Sequence, residues 1–198
     1  MSAATEQAKA DFGSSLKDAH NLVWLHRNSQ GGKGRRHRQT TLNRAVIVVT
    51  AAAWQAYVQD TTQAILAALA VPHGHQGHAL YALTRAAVKN AVRRFNTPNA
   101  RNVLGLFGTV GFDPEPVWSF TIGTPPRVYA PQNARAEIND WLDVRHAIAH
   151  GSQLPAIPLV SGQAQAGPTL HRTDAERCIS FFENVVNATA AAAHQQFP

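Results

Sequence analysis

From Leu42 to Val58 the apolar residues return with the period of an α-helix: Leu42, Ala45, Val49, Ala53, Ala56 and Val58. The spacing predicts a long helix over about 41–70, stopped by Val71-Pro72-His73-Gly74. A helix of that length needs partners, because most helical stability comes from packing an apolar face. Further helical segments supply them. One is predicted over about 5–28, ending before Gln30-Gly31-Gly32, and another over about 78–95. Asn96-Thr97-Pro98-Asn99 reads as a restart, with Thr97 as N-cap and Pro98 at the first helical position. The short helix that follows fades at Gly108 to Gly111.

A fifth helix is expected from Pro131 to a stop at Gly151. A last one opens on Thr173-Asp174-Ala175-Glu176, in the form of a capping box, and runs through Phe181, Phe182 and Val185 to about His194. Between them, prolines 114, 116, 125, 126 and 131 mark 113–131 as an irregular excursion, and Pro, Gly and Gln mark 152–170 as a loop. No convincing alternating strand stands out. The expectation is an all-α fold, a single helical bundle of five to six helices with long irregular loops, forming one domain over 1–198.

Composition narrows the class of protein. Hydrophobic residues make up 44% and charged residues 15%, which suits a folded chain rather than a disordered one. The lone Cys178 excludes an internal disulfide framework and a multi-cysteine zinc site, and fits a reducing compartment. The first residues, MSAATEQAKADFGSSLKDAH, lack the apolar run of a signal peptide. The richest apolar stretch, Ala45 to Ala70, is broken by Gln55, Gln59, Asp60 and Gln63, so no membrane span is expected. The reading is a cytoplasmic protein.

The formal charge of +6 permits a polyanionic partner. Lys33, Arg35, Arg36 and Arg38 surround His37 in QGGKGRRHRQ, with Arg27 and Arg44 flanking, and Lys89, Arg93 and Arg94 form a second cluster at helical spacing. The stretch over about 30–38 is expected as a basic loop, either gripping RNA backbone or simply solvated. Trp54 and Tyr57 either stack on bases or fill a core.

The segment Glu137 to Gly151 carries the chemistry. Ile138, Trp141, Leu142, Ile148 and Ala149 form one apolar stripe, and Arg145 falls in its middle. An arginine directed toward a core needs a carboxylate such as Asp60 or Glu183, a bound anion, or an interface. Beside it, Asn139, Asp143, His146 and His150 share another face. His150 lies in the last turn, where the helix macrodipole favours imidazolium. It can donate a proton or balance a phosphate, or it only caps the helix.

Arg145-His146-Ala147-Ile148-Ala149-His150-Gly151 resembles the Arg-x4–6-His signature of HEPN domains, in particular the RiboL-PSP-HEPN branch. Leu42-Asn43-Arg44-Ala45, Ala53-Trp54-Gln55-Ala56-Tyr57 and Phe95-Asn96-Thr97-Pro98-Asn99 agree in order, so the likeness covers about 35–182. It implies a HEPN-like helical bundle that dimerises around a composite cleft. Many such domains are metal-independent endoribonucleases, often toxins or anti-phage effectors. Arg145 would hold the scissile phosphate, and His150 would move the proton as a 2′-hydroxyl attacks, leaving a 2′,3′-cyclic phosphate. His146 would orient substrate or share protons, with Asn139 and Asp143 supporting, and Lys33, Arg35, Arg36, Arg38 and Arg44 would bind RNA. The implied partners are RNA, a second copy, and an antitoxin or other partner protein, with no cofactor. Two departures stand out. His146 replaces a common Asn or Asp, and Gln55 stands where Glu is frequent.

Two rivals remain. Asp143, His146 and His150 have the spacing of a two-His-one-carboxylate metal face, and His73-Gly74-His75-Gln76-Gly77-His78 also has ligand types close together. The other rival is a non-catalytic HEPN module that binds RNA or a partner protein. Phosphate-loop, dinucleotide and nucleophile-elbow motifs are all missing from the sequence.

Overall fold

The computed structural model describes residues 3–28, 35–122, 126–164 and 167–197. Six α-helices make up most of them: α1 Ala3–Asn28, α2 Arg35–Ala68, α3 His78–Arg94, α4 Ala100–Gly108, α5 Pro131–His150 and α6 Arg172–Gln196. The all-α fold expected of the chain is what the structure has.

α2 is the central element. It buries Val46, Ile47, Ala53, Trp54, Tyr57, Val58 and Ile65, residues that occupy more than one face of the helix, so it can be covered from several sides. α1 buries Ala8, Phe12, Leu16, Ala19 and Val23 along one stripe and runs antiparallel to α2. His26 meets Asn43 at 2.6 Å near the connection, and Phe12 meets Tyr57 edge to face at 5.8 Å farther along. α6 closes the trio, with Phe182 against Trp54 and the Tyr57 hydroxyl donating to the Val186 carbonyl at 3.4 Å. Trp54 and Tyr57 are therefore core residues.

Four expectations need correction. α2 starts at Arg35 rather than near Thr41, so Arg35 to Arg38 of the supposed basic loop form its first helical turn, while the part over 30–34 lies outside the described residues. Those residues are good helix formers even without an apolar period. The N-cap of α4 is Asn99, whose Oδ1 accepts from the Asn102 N–H at 2.9 Å. Thr97 and Pro98 lie outside that helix, and the Pro98 carbonyl instead accepts from Trp54 Nε1 at 3.0 Å. α6 is capped from His171, whose N–H donates to Asp174 Oδ2 at 2.7 Å, two residues before the expected Thr173.

Finally, strands are present. The Pro-rich excursion holds a 3₁₀ turn over Glu115–Val117 and an antiparallel hairpin of β1 Phe120–Ile122 with β2 Arg127–Tyr129. The second loop holds the antiparallel pair β3 Gly162–Ala164 and β4 Gly167–Thr169.

Candidate functional site

α5 starts with Pro131 at its first position and stops at Gly151, which adopts the left-handed φ of 65°. The Ser152 N–H then donates to the Ala147 carbonyl at 2.9 Å and the Gly151 N–H to Ile148 at 3.3 Å, satisfying the last carbonyls. A Cβ on Gly151 would meet nothing within 4 Å. Gly151→Ala should therefore cost about 1 kcal/mol through backbone strain alone, measurable as a lower denaturation midpoint.

The apolar stripe of α5 runs off the edge of the core in its last turns. Ile138, Trp141 and Leu142 are buried, whereas Ile148 is half-buried and Ala149 exposed. Arg145 lies at that transition and is half-buried. Among the described residues no hydrogen bond or ion pair reaches it, and Glu183 faces His20 at 3.4 Å instead. On the adjoining face the rings of half-buried His146 and exposed His150 lie parallel, 8° apart with centroids 6.2 Å apart. Asp143 is exposed beside them. Asn139 is engaged elsewhere, because its Oδ1 accepts from the Ala100 N–H at 3.0 Å and ties α5 to the start of α4.

The basic residues divide. Arg38 and Arg44 are exposed on α2, Arg35 and Arg36 belong to its first turn, and Lys33 lies outside the described residues. Asn43, between them, is buried, and its Nδ2 donates to the Leu170 carbonyl at 2.9 Å. Leu170 directly follows β4, and Gln153, just beyond α5, packs against Gly167 in β4. The β3–β4 hairpin thus joins the end of α5 to the beginning of α2. Arg145, His146 and His150 share one end of the bundle with Arg38 and Arg44, where the positive pole of the α2 macrodipole also lies.

One buried ion pair was not legible beforehand. Glu137, only 5% exposed, accepts from Arg177 Nε at 3.1 Å and Nη2 at 2.9 Å, from the Tyr129 hydroxyl at 2.7 Å and from Trp141 Nε1 at 3.2 Å. This network fixes α5 against β2 and α6. Burial lowers the affinity of the Arg177 guanidinium for its proton, but the Glu137 carboxylate and Tyr129 beside it outweigh that and leave its pKa above the ordinary value. Burial raises the Tyr129 pKa, and the neighbouring Glu137 adds to the rise.

Asp140 lines a groove together with Tyr129, Glu137 and Arg177. Burial raises its pKa, and the charges of Asp143 and Glu137 add to the effect. An acid held above its unfolded pKa binds its proton more tightly in the native state, so it subtracts stability as pH rises through that window. Asp140→Asn should raise the melting temperature at neutral pH and lose that advantage near the ordinary aspartate pKa of about 3.9, as thermal scans across pH would show.

Two of the segments on which the resemblance rests, 53–57 and 95–99, meet in space. Trp54 bonds to Pro98, Gln55 Nε2 donates to the Phe95 carbonyl at 3.1 Å, and Asn139 of α5 caps the helix that follows. The family profile for RiboL-PSP-HEPN matches residues 16–194. The chain belongs to the RiboL-PSP-HEPN family. Comparison with curated proteins and with solved structures returns no match. In this RiboL-PSP-HEPN chain the Gln55 amide holds the turn before α4, a structural task for a neutral residue where Glu is frequent. Among the described residues no group of three or more His, Cys, Asp and Glu is placed to hold a metal ion, and no helix is long and apolar enough to cross a membrane.

Proposed function

We propose that this HEPN domain is a metal-independent endoribonuclease, of the kind used as a toxin or anti-phage effector, acting through Arg145 and His150 in a cleft between two copies. The observation that carries the reading is the half-buried Arg145 at the edge of the core, which makes no ion pair among the described residues, beside the parallel His146 and His150. A guanidinium without a carboxylate is matched to a phosphate, which it can meet with two parallel hydrogen bonds.

The chemistry follows from these groups. The 2′-hydroxyl attacks the adjacent phosphorus and loses its proton, the bond from phosphorus to the 5′-oxygen breaks, and that oxygen leaves with a proton. His150 moves the proton as base or acid, His146 orients substrate or shares protons, and Arg145 balances the charge that grows on the phosphoryl oxygens. The product keeps a 2′,3′-cyclic phosphate. Arg38 and Arg44, with Arg35, Arg36 and Lys33, hold the backbone leading to this point, and Asp143 supports the histidine face. A second copy facing the open end of α5 would wall the site and cover Ile148 and Ala149.

The openness of the site also favours a second reading. Three grooves of about 490, 320 and 460 Å³ are lined by other residues. A non-catalytic HEPN module that binds RNA or a partner protein needs no deeper pocket than Arg145 and His150 provide. Incubating the protein with RNA in EDTA separates the two: cleavage by wild type but by neither Arg145→Ala nor His150→Ala supports the nuclease, and binding without cleavage supports the module.

A further inference from the structure

A groove of about 460 Å³ lies between the end of α2 and the start of α3, away from α5. Leu66, Ala67, Ala70 and Val71 give it aliphatic walls, and Arg85 and Lys89 stand at its rim. The surrounding chain has a second property. No Asp or Glu occurs from Thr61 through Phe112, while Arg85, Lys89, Arg93, Arg94 and Arg101 all do.

Arg85, Lys89 and Arg93 follow i, i+4, i+8 spacing, so they form one column on α3. All three are exposed, and among the described residues none makes an ion pair. α3 is thinly held: of its 17 residues only Val88 and Val92 are buried. A helix of that length is marginal in water without packing, so a covering partner would stabilise it.

We infer that this groove docks an acidic, amphipathic segment of a partner protein. An apolar side chain of the segment fills the aliphatic groove, and two carboxylates about 6 Å apart, one helical turn, meet Arg85 and Lys89. Other occupants fit less well. RNA would need open stacking planes, whereas Tyr81 is half-buried with its hydroxyl donating to the Leu66 carbonyl at 3.2 Å, and the His73 and His78 rings in the groove lie against each other with centroids 4.0 Å apart. A bilayer would need cations and apolar groups on one convex face, whereas Leu80 and Leu83, 70% and 72% exposed, lie on the opposite flank of α3 from Arg85 and Lys89. A second copy across a two-fold axis would set this basic column against itself.

The inference does not rest on Arg145 or His150. Its test uses the full chain and four probes: a labelled helix-forming peptide with leucines on one face and glutamates on the other, a scramble of it, a labelled RNA oligonucleotide, and anionic phospholipid vesicles. The amphipathic peptide should bind at least about tenfold more tightly than the scramble. Arg85→Glu with Lys89→Glu should weaken it by about tenfold or more, and exchanging the peptide glutamates for lysines should restore binding to that variant. Ala70→Trp, which fills the groove without changing charge, should weaken it as well. Circular dichroism melts establish that both variants fold. No binding of the peptide, or equal binding of the scramble, overturns the inference. So does a result in which only RNA or vesicles lose affinity in the charge-reversed protein.

Discussion

Arg145→Ala and His150→Ala should each lower the rate of RNA cleavage by about 10²- to 10⁴-fold, the range for losing a positioned proton-transfer group or a donor to a developing oxyanion. Neither should lower the melting temperature much. Arg145 makes no hydrogen bond or ion pair among the described residues, and His150 is exposed at the helix end, so little native structure depends on them. Arg145→Lys keeps the charge but loses the planar pair of donors, and it should recover only part of the rate. The double variant should be scarcely slower than either single one, because groups that act together on one phosphate are not additive. His146→Ala should lose less than His150→Ala. Single-turnover rates on one RNA, with melting curves for each variant, check all four statements.

Arg177→Ala should produce the largest loss of stability, about 3 kcal/mol, or roughly 10 °C in melting temperature. The Glu137 side chain is 7% exposed, and removing its bidentate partner strands a carboxylate inside the bundle. Glu137→Gln should cost less. Arg177 is 31% exposed and can turn its charge toward water, and the neutral amide oxygen can still accept a hydrogen bond from Tyr129 or Trp141. Glu137→Gln combined with Arg177→Met should be less destabilised than the sum of the two single changes, since no unpaired charge remains. Denaturant unfolding of the set measures this directly. Additive losses would mean that the pair contributes little beyond its packing.

The helices were legible where apolar periodicity met a clear stop. Gly151 ends α5 because only a left-handed residue lets Ser152 reach back to Ala147. The start of α2 was not legible, because Arg35 to Gln39 carry no apolar period, and periodicity signals a helix only where one face meets a core. The hairpins escaped because three-residue strands next to Thr124-Pro125-Pro126, or containing Pro168, are too short to show alternation.

At the site, one helix carried both the arginine and the histidines, so spacing along a single segment was enough to single them out. Spacing could not show that Asn139 would hold α4, since Ala100 lies 39 residues away. Glu137 was hidden for the same reason, with its partner Arg177 40 residues away on another helix. The one local hint was the Glu137 and Trp141 pair at i, i+4 on a stripe otherwise apolar.

The central claim is that this end of the bundle cleaves RNA by attack of the neighbouring 2′-hydroxyl. The most direct measurement compares, in EDTA, an RNA oligonucleotide with the same sequence carrying 2′-O-methyl groups, and identifies the ends produced. The account predicts that the unmodified RNA is cut to 2′,3′-cyclic phosphate ends and the methylated RNA stays whole. Equal cutting of both, or ends bearing a free 3′-hydroxyl, would contradict it.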